Sequence, residues 1–180
     1  MRIRIFARSF FEAKQGKAKE SYWVKHYRIV SINSIVLPEL PPFTQSYWDC
    51  QNLLILFFDD YEHENDNAFS VQDAEKVIAF ALQSDPRPIL IHCTAGESRS
   101  GAIGLFLNKI INRDCPKDSQ RFFKDYPWIC EKANQLVLRR LEDVYARNFS
   151  MDFREGGQND SLLSGKKSIE KVSEKIGLIG

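Results

Sequence analysis

Cys93, Arg99 and Ser100 stand in the stretch Pro88-Ile-Leu-Ile-His-Cys-Thr-Ala-Gly-Glu-Ser-Arg-Ser-Gly101, with His92 before the cysteine and Gly96 between. These residue types at this spacing supply a sulfur nucleophile, a guanidinium that grips an anion bidentately, and a hydroxyl able to hydrogen-bond the sulfur. The flanks suggest how they are held. Ile89, Leu90 and Ile91 form a short apolar run bounded by Pro86 and Pro88, which suits a buried strand. Cys93 to Arg99 is a small polar loop. From Ser100 onward Ala102, Ile103, Leu105, Phe106, Leu107, Ile110 and Ile111 are apolar nearly all round, which suits a core helix. A strand, a tight loop and a helix N-terminus turn backbone N–H groups and the positive end of a helix dipole toward one point. Such a field favours a thiolate over a thiol. Cys93 is therefore expected to attack an anionic ester near neutral pH.

The pattern His-Cys-x-x-Gly-x-x-Arg-Ser, formed by His92, Cys93, Gly96, Arg99 and Ser100, resembles the signature loop of the cysteine-dependent protein tyrosine phosphatases, nearest to their small dual-specificity-like branch. The resemblance covers roughly residues 28–112. It implies a covalent phosphocysteine on Cys93, with phosphate held by Arg99 and the loop formed by Thr94, Ala95, Gly96, Glu97 and Ser98. Ser100 eases departure of the sulfur, and His92 orders the loop. No metal and no cofactor are implied. Cys115 and Arg121 repeat the Cys-to-Arg spacing but lack the histidine, glycine, serine and upstream apolar strand, so this second pair is read as incidental.

Expelling an alkoxide or phenoxide calls for a general acid. The resemblance places it on a loop about thirty residues before the cysteine. Asp60 lies 33 residues upstream of Cys93 and Asp59 lies 34, both after the apolar run Asn52–Phe58, at a strand end where active-site loops of α/β sheets emerge. Asp60 is preferred, with Asp59 as the alternative. In the second step the deprotonated acid serves as base for water. The acidic stretch from Asp59 to Asp66 lacks the ligand spacing and glycine of a calcium loop, so no metal site is assigned to it.

The chain has 180 residues and a formal net charge of +1, with 43% hydrophobic and 27% charged residues. This suits a globular domain and gives no overall bias toward nucleic acid or membrane. Four cysteines make no disulfide framework, and a catalytic thiol favours a reducing, cytoplasmic setting. No apolar run approaches the roughly 18 residues needed to span a bilayer.

The expected fold is α/β, a central mostly parallel sheet flanked by helices, with the anion-binding loop between a central strand and a buried helix. Strands are expected over 2–7, 28–32, 52–58 and 89–91. Ser70 with Asp73 opens a helix, a second short helix follows Pro116, and a long one runs from Trp128 to about Arg147. Residues 11–21 read as a solvated connection and 37–44 as a stiff proline loop. The division expected is a catalytic domain over 1–150 and a tail of unassigned structure over 151–180.

The loop positions Thr94, Ala95, Glu97 and Ser98 carry no cation, and Glu97 and the 59–66 segment are acidic. A singly phosphorylated substrate, such as a phosphotyrosine protein or another small phosphomonoester, is therefore favoured over phosphoinositides or RNA 5′-phosphates. The competing class is a non-catalytic phosphoprotein-binding module of the same fold. A rhodanese-like sulfur carrier would not need the upstream aspartate.

Overall fold

A computed structural model describes residues 1–12, 17–37, 42–43 and 50–149, with no side-chain description at 17–21. The elements, in chain order, are β1 (Ile3–Ala7), α1 (Arg8–Glu12), α2 (Lys17–His26), β2 (Arg28–Asn33), β3 (Leu53–Phe57), α3 (Val71–Leu82), β4 (Ile89–Cys93), α4 (Ser98–Ile111), α5 (Pro116–Asp125), α6 (Ile129–Lys132) and α7 (Gln135–Phe149). The four strands pair in parallel in the order β1-β4-β2-β3. Every residue of β4 and of β2 is buried. β4 is thus a central strand, as its unbroken apolar run requires when both faces are covered. β3 has an equally apolar sequence but lies at the edge, and its Phe57 is 46% exposed.

Two apolar layers cover the sheet. On one face Ile89, Ile91 and Cys93 pack with α3, α4 and α7. On the other, Ile29, Leu53 and Leu90 pack with Phe11, Val24 and Phe43. Alternation along β4 sends odd-numbered side chains to the first layer and even-numbered ones to the second. Ser70 caps α3, its hydroxyl accepting from Asp73 N at 3.0 Å while Asp73 Oδ2 accepts from Ser70 N at 3.0 Å.

Two expectations are corrected. Residues 8–12 and 17–26 are helical, where a solvated connection was expected over 11–21. α2 has almost no apolar periodicity, so its pattern resembled a loop. What marks this region instead is a nest of rings: Phe6 stacks on Phe10 at 4.2 Å, and Phe11 and Trp23 meet edge to face at 5.8 Å. The long C-terminal helix is in fact two helices, broken at Ala133 and Asn134. Asn134 Oδ1 accepts from Val137 N at 3.0 Å and so caps α7. The break was hidden because Ile129, Ala133, Leu136, Val137, Leu141 and Val144 keep helical spacing through it and are all buried. The expected tail over 151–180 and most of the proline loop lie outside the described residues. Among the described residues no helix is long and apolar enough to cross a membrane.

Candidate active site

The loop after β4 is shaped by a single glycine. Gly96 has φ +77°, in the left-handed region, and a Cβ there would sit 2.4 Å from Ala7 N and 2.7 Å from Phe6 O. The loop is pressed against the end of β1, and only glycine allows both the turn and the approach. Gly96→Ala is expected to cost about 1–3 kcal/mol in strain, lowering the melting temperature by roughly 3–10 °C in a thermal scan.

Cys93 closes β4 with its sulfur 3.1 Å from Ser100 Oγ, in the first turn of α4. Both residues are buried. Arg99 is also buried. Its Nη1 donates to Phe58 O at 2.8 Å and its Nη2 to Thr94 Oγ1 at 3.0 Å, while its Nε is buried without a partner. A guanidinium anchored on two sides with one donor unpaired is what an anion-binding loop leaves for its ligand. The carbonyl it grips belongs to the residue just before the aspartate pair, so Arg99 also ties β3's exit to the loop.

The two aspartates have different surroundings. Asp59 accepts from the Ser34 hydroxyl and from Val36 N at 3.3 Å, which fixes it to the loop after β2. Asp60 Oδ1 accepts from Ser98 Oγ at 2.7 Å and from Asn134 Nδ2 at 2.8 Å. Asp60 is therefore bonded to Ser98 at the end of the Cys93 loop, whereas the bonds of the Asp59 carboxylate go to Ser34 and Val36. Asn134 also donates to Tyr61 O at 3.0 Å, and its own N–H donates to Ser98 O at 3.1 Å. Sequence reasoning missed Asn134. The available signal was an asparagine after Ala133, a residue type favoured at helix starts, inside a supposed continuous helix. Asn134→Ala is expected to lower kcat on an aryl phosphate about tenfold by freeing Asp60. Asn134→Ser should retain the cap, and with it most of the melting temperature, yet still lose rate, because the amide that holds Asp60 is gone. The pair of readouts separates capping from clamping.

His92 is fully buried, and neither ring nitrogen has a hydrogen-bond partner. It packs against Phe11 at 4.8 Å and Phe43 at 6.3 Å between ring centroids. Burial, with Arg8 and Arg99 nearby, pushes its pKa down to about 3 from 6.5, so it is neutral. As pH falls from about 6.5 toward about 3, the unfolded chain takes up a proton that the folded chain refuses. Stability therefore falls with pH in this window, by up to about 1.4 kcal/mol per unit from this one group. His92→Asn should flatten the dependence of the denaturant midpoint on pH between 4 and 6.

Two acids of the rim are paired. Glu97 Oε2 accepts from Lys132 Nζ at 2.9 Å, and Glu64 pairs with Arg140. Among the described residues no group of three or more His, Cys, Asp or Glu side chains is placed to hold a metal ion. Cys115 stands just before α5, near Asn112 and the Met1 amine, at the end of the sheet away from the loop.

No protein-family model matches this sequence, and no curated protein matches it either. Solved structures do. The human tyrosine phosphatase-like serine/threonine/tyrosine-interacting protein matches at 18% identity and a TM-score of 0.50, over 81% of this chain and 91% of that one. Tk-PTP in its active form matches at 15% identity and a TM-score of 0.45, over 82% and 93%. OH1, a tyrosine phosphatase of the Orf virus, matches at 14% identity and a TM-score of 0.37, over 81% and 82%. At these identities the first likeness speaks for the fold, and the residues of the loop have to speak for themselves. The chain thus has the fold of the tyrosine phosphatase-like proteins and carries within it, on a central strand and a buried helix, a loop of the cysteine-dependent, dual-specificity-like signature pattern.

Proposed function

We propose that this protein hydrolyses phosphomonoesters through a phosphocysteine intermediate, acting as a protein tyrosine or dual-specificity phosphatase. The observation that carries the reading is the bonding of Asp60 to the loop that holds Cys93, through Ser98 and Asn134. It ties a carboxyl group to the loop that follows a cysteine 33 residues further along the chain, which supports the reading.

The Cys93 thiolate attacks phosphorus as the ester P–O bond breaks, and Asp60 gives its proton to the departing oxygen. Two donors already occupy Oδ1 of Asp60, so its proton is carried on Oδ2. Arg99 and the loop N–H groups from Thr94 to Arg99 stabilise the phosphoryl oxygens. Water then attacks the phosphocysteine and passes its proton to Asp60. The S–P bond breaks, inorganic phosphate leaves, and the Ser100 hydroxyl bonds the returning thiolate. Every proton and electron pair is accounted for by protein groups and water.

The test is hydrolysis of p-nitrophenyl phosphate and of phosphotyrosine, phosphoserine and phosphothreonine peptides, in EDTA with a reductant. Turnover that persists in EDTA supports the reading, and none on any of these substrates overturns it. The second reading is a module that binds phosphoprotein without turning it over. It is favoured by the likeness to a human protein described as phosphatase-like and interacting, and it predicts phosphopeptide binding with no hydrolysis.

A further inference from the structure

We propose that Thr94 is a positioning residue of the phosphate site, its hydroxyl fixing the plane of the Arg99 guanidinium before the anion arrives. The inference deepens the proposed reaction and rests on the reading of the Cys93 loop as a phosphate site. Arg99 enters that loop from the first turn of α4 and is buried. Its side chain has several rotatable bonds, and a single hydrogen bond leaves the fork free to swing about that bond. Nη1, donating to Phe58 O at 2.8 Å, is one such anchor. The second is Thr94, whose Oγ1 accepts from Nη2 at 3.0 Å. Two anchors on the two terminal nitrogens fix the plane of a rigid fork. The third nitrogen, Nε, is buried without a partner. A guanidinium has five N–H groups, so these two bonds still leave the Nε–H and one hydrogen on each terminal nitrogen. Nε and a neighbouring nitrogen can therefore grip two oxygens of a tetrahedral anion.

The acceptor is itself held in place. The Thr94 carbonyl accepts from Arg8 N at 3.2 Å, and Gly96, two residues on, is pressed against Phe6 and Ala7. Both contacts dock the loop on the exit of β1. Threonine adds stiffness of its own, because branching at Cβ restricts χ1. Thr94 is exposed to solvent. A threonine there contributes little to the core, and the bond to a buried guanidinium is what its hydroxyl supplies. Donors set in advance act on phosphoryl oxygens without reorganising at the moment of reaction. In the pattern His-Cys-x-x-Gly-x-x-Arg-Ser this position is unspecified, so the bond is a property of this chain rather than of the pattern.

The experiment compares Thr94, Thr94→Val and Thr94→Ser, each with Cys93 present and with Cys93→Ser. Valine keeps the branched shape and removes the hydroxyl. Calorimetry on the Cys93→Ser proteins measures the binding of inorganic phosphate. Hydrolysis of p-nitrophenyl phosphate by the others separates kcat from KM. Thr94→Val is expected to weaken phosphate binding about tenfold and to lower kcat/KM by a similar factor. Its melting temperature should stay within about 2 °C of wild type, as for most surface substitutions. Thr94→Ser, which restores the acceptor, should recover both quantities to within about threefold. Phosphate binding by Thr94→Val equal to that of its parent overturns the proposal. So does a Thr94→Ser protein as defective as Thr94→Val, which would place the effect in the methyl group. If the Cys93→Ser parent with Thr94 intact binds no phosphate, the reading of the loop fails, and the role of Thr94 with it. Should Thr94→Val not fold, Thr94→Ala takes its place under the same outcomes.

Discussion

Cys93→Ser is expected to abolish turnover, by about 10⁵-fold or more, while phosphate binding survives. A serine hydroxyl at this position remains protonated at neutral pH and leaves phosphorus poorly, so both half-reactions fail. On the proposed reading the anion is held by Arg99, the loop amides and the start of α4, none of which depends on sulfur. The bond to Ser100 at 3.1 Å is replaceable by one between hydroxyls, so the loop should keep its shape. The measurement is aryl phosphate hydrolysis alongside phosphate binding for wild type, Cys93→Ser and Cys115→Ser. Cys115→Ser should match wild type, because Cys115 stands just before α5, at the opposite end of the sheet from the loop. Activity retained in Cys93→Ser would remove the cysteine mechanism altogether.

Asp60→Ala is expected to slow kcat by about 10²–10⁴-fold for a phenyl-type leaving group. The loss should shrink for p-nitrophenol, which departs with little help from an acid. That dependence on leaving group separates an acid from a residue that only supports the loop. Asp59→Ala should leave the dependence as in wild type, since its carboxylate bonds Ser34 and Val36 N and serves the loop after β2. If Asp59→Ala gives the leaving-group signature and Asp60→Ala does not, the acid is Asp59.

The strand, loop and helix that carry Cys93 and Arg99 were legible because they are local. A four-residue loop, Thr94 to Glu97, between an apolar strand and an apolar helix states its own geometry, and His92, Gly96 and Ser100 complete a pattern that chance spacing, as at Cys115 and Arg121, does not reproduce. The strands were legible for the same reason, since an apolar run that must be covered on both faces has few other uses. The choice between Asp59 and Asp60 was not legible. Neighbouring residues share their spacing to Cys93, and only the side chains that approach them differ.

Local sequence by itself determined the strand-loop-helix that carries Cys93 and Arg99, the parallel sheet around it, and the capped helix after Ser70. Tertiary structure decided everything that depends on chains meeting from a distance. It brought Asn134 to Asp60 across 74 positions and Arg8 to Asn33 across 25. It also split one apolar stripe into α6 and α7. The physical reason is that period and propensity report which face of a segment is buried, while hydrogen-bond partners are set by which segments the packed core brings side by side.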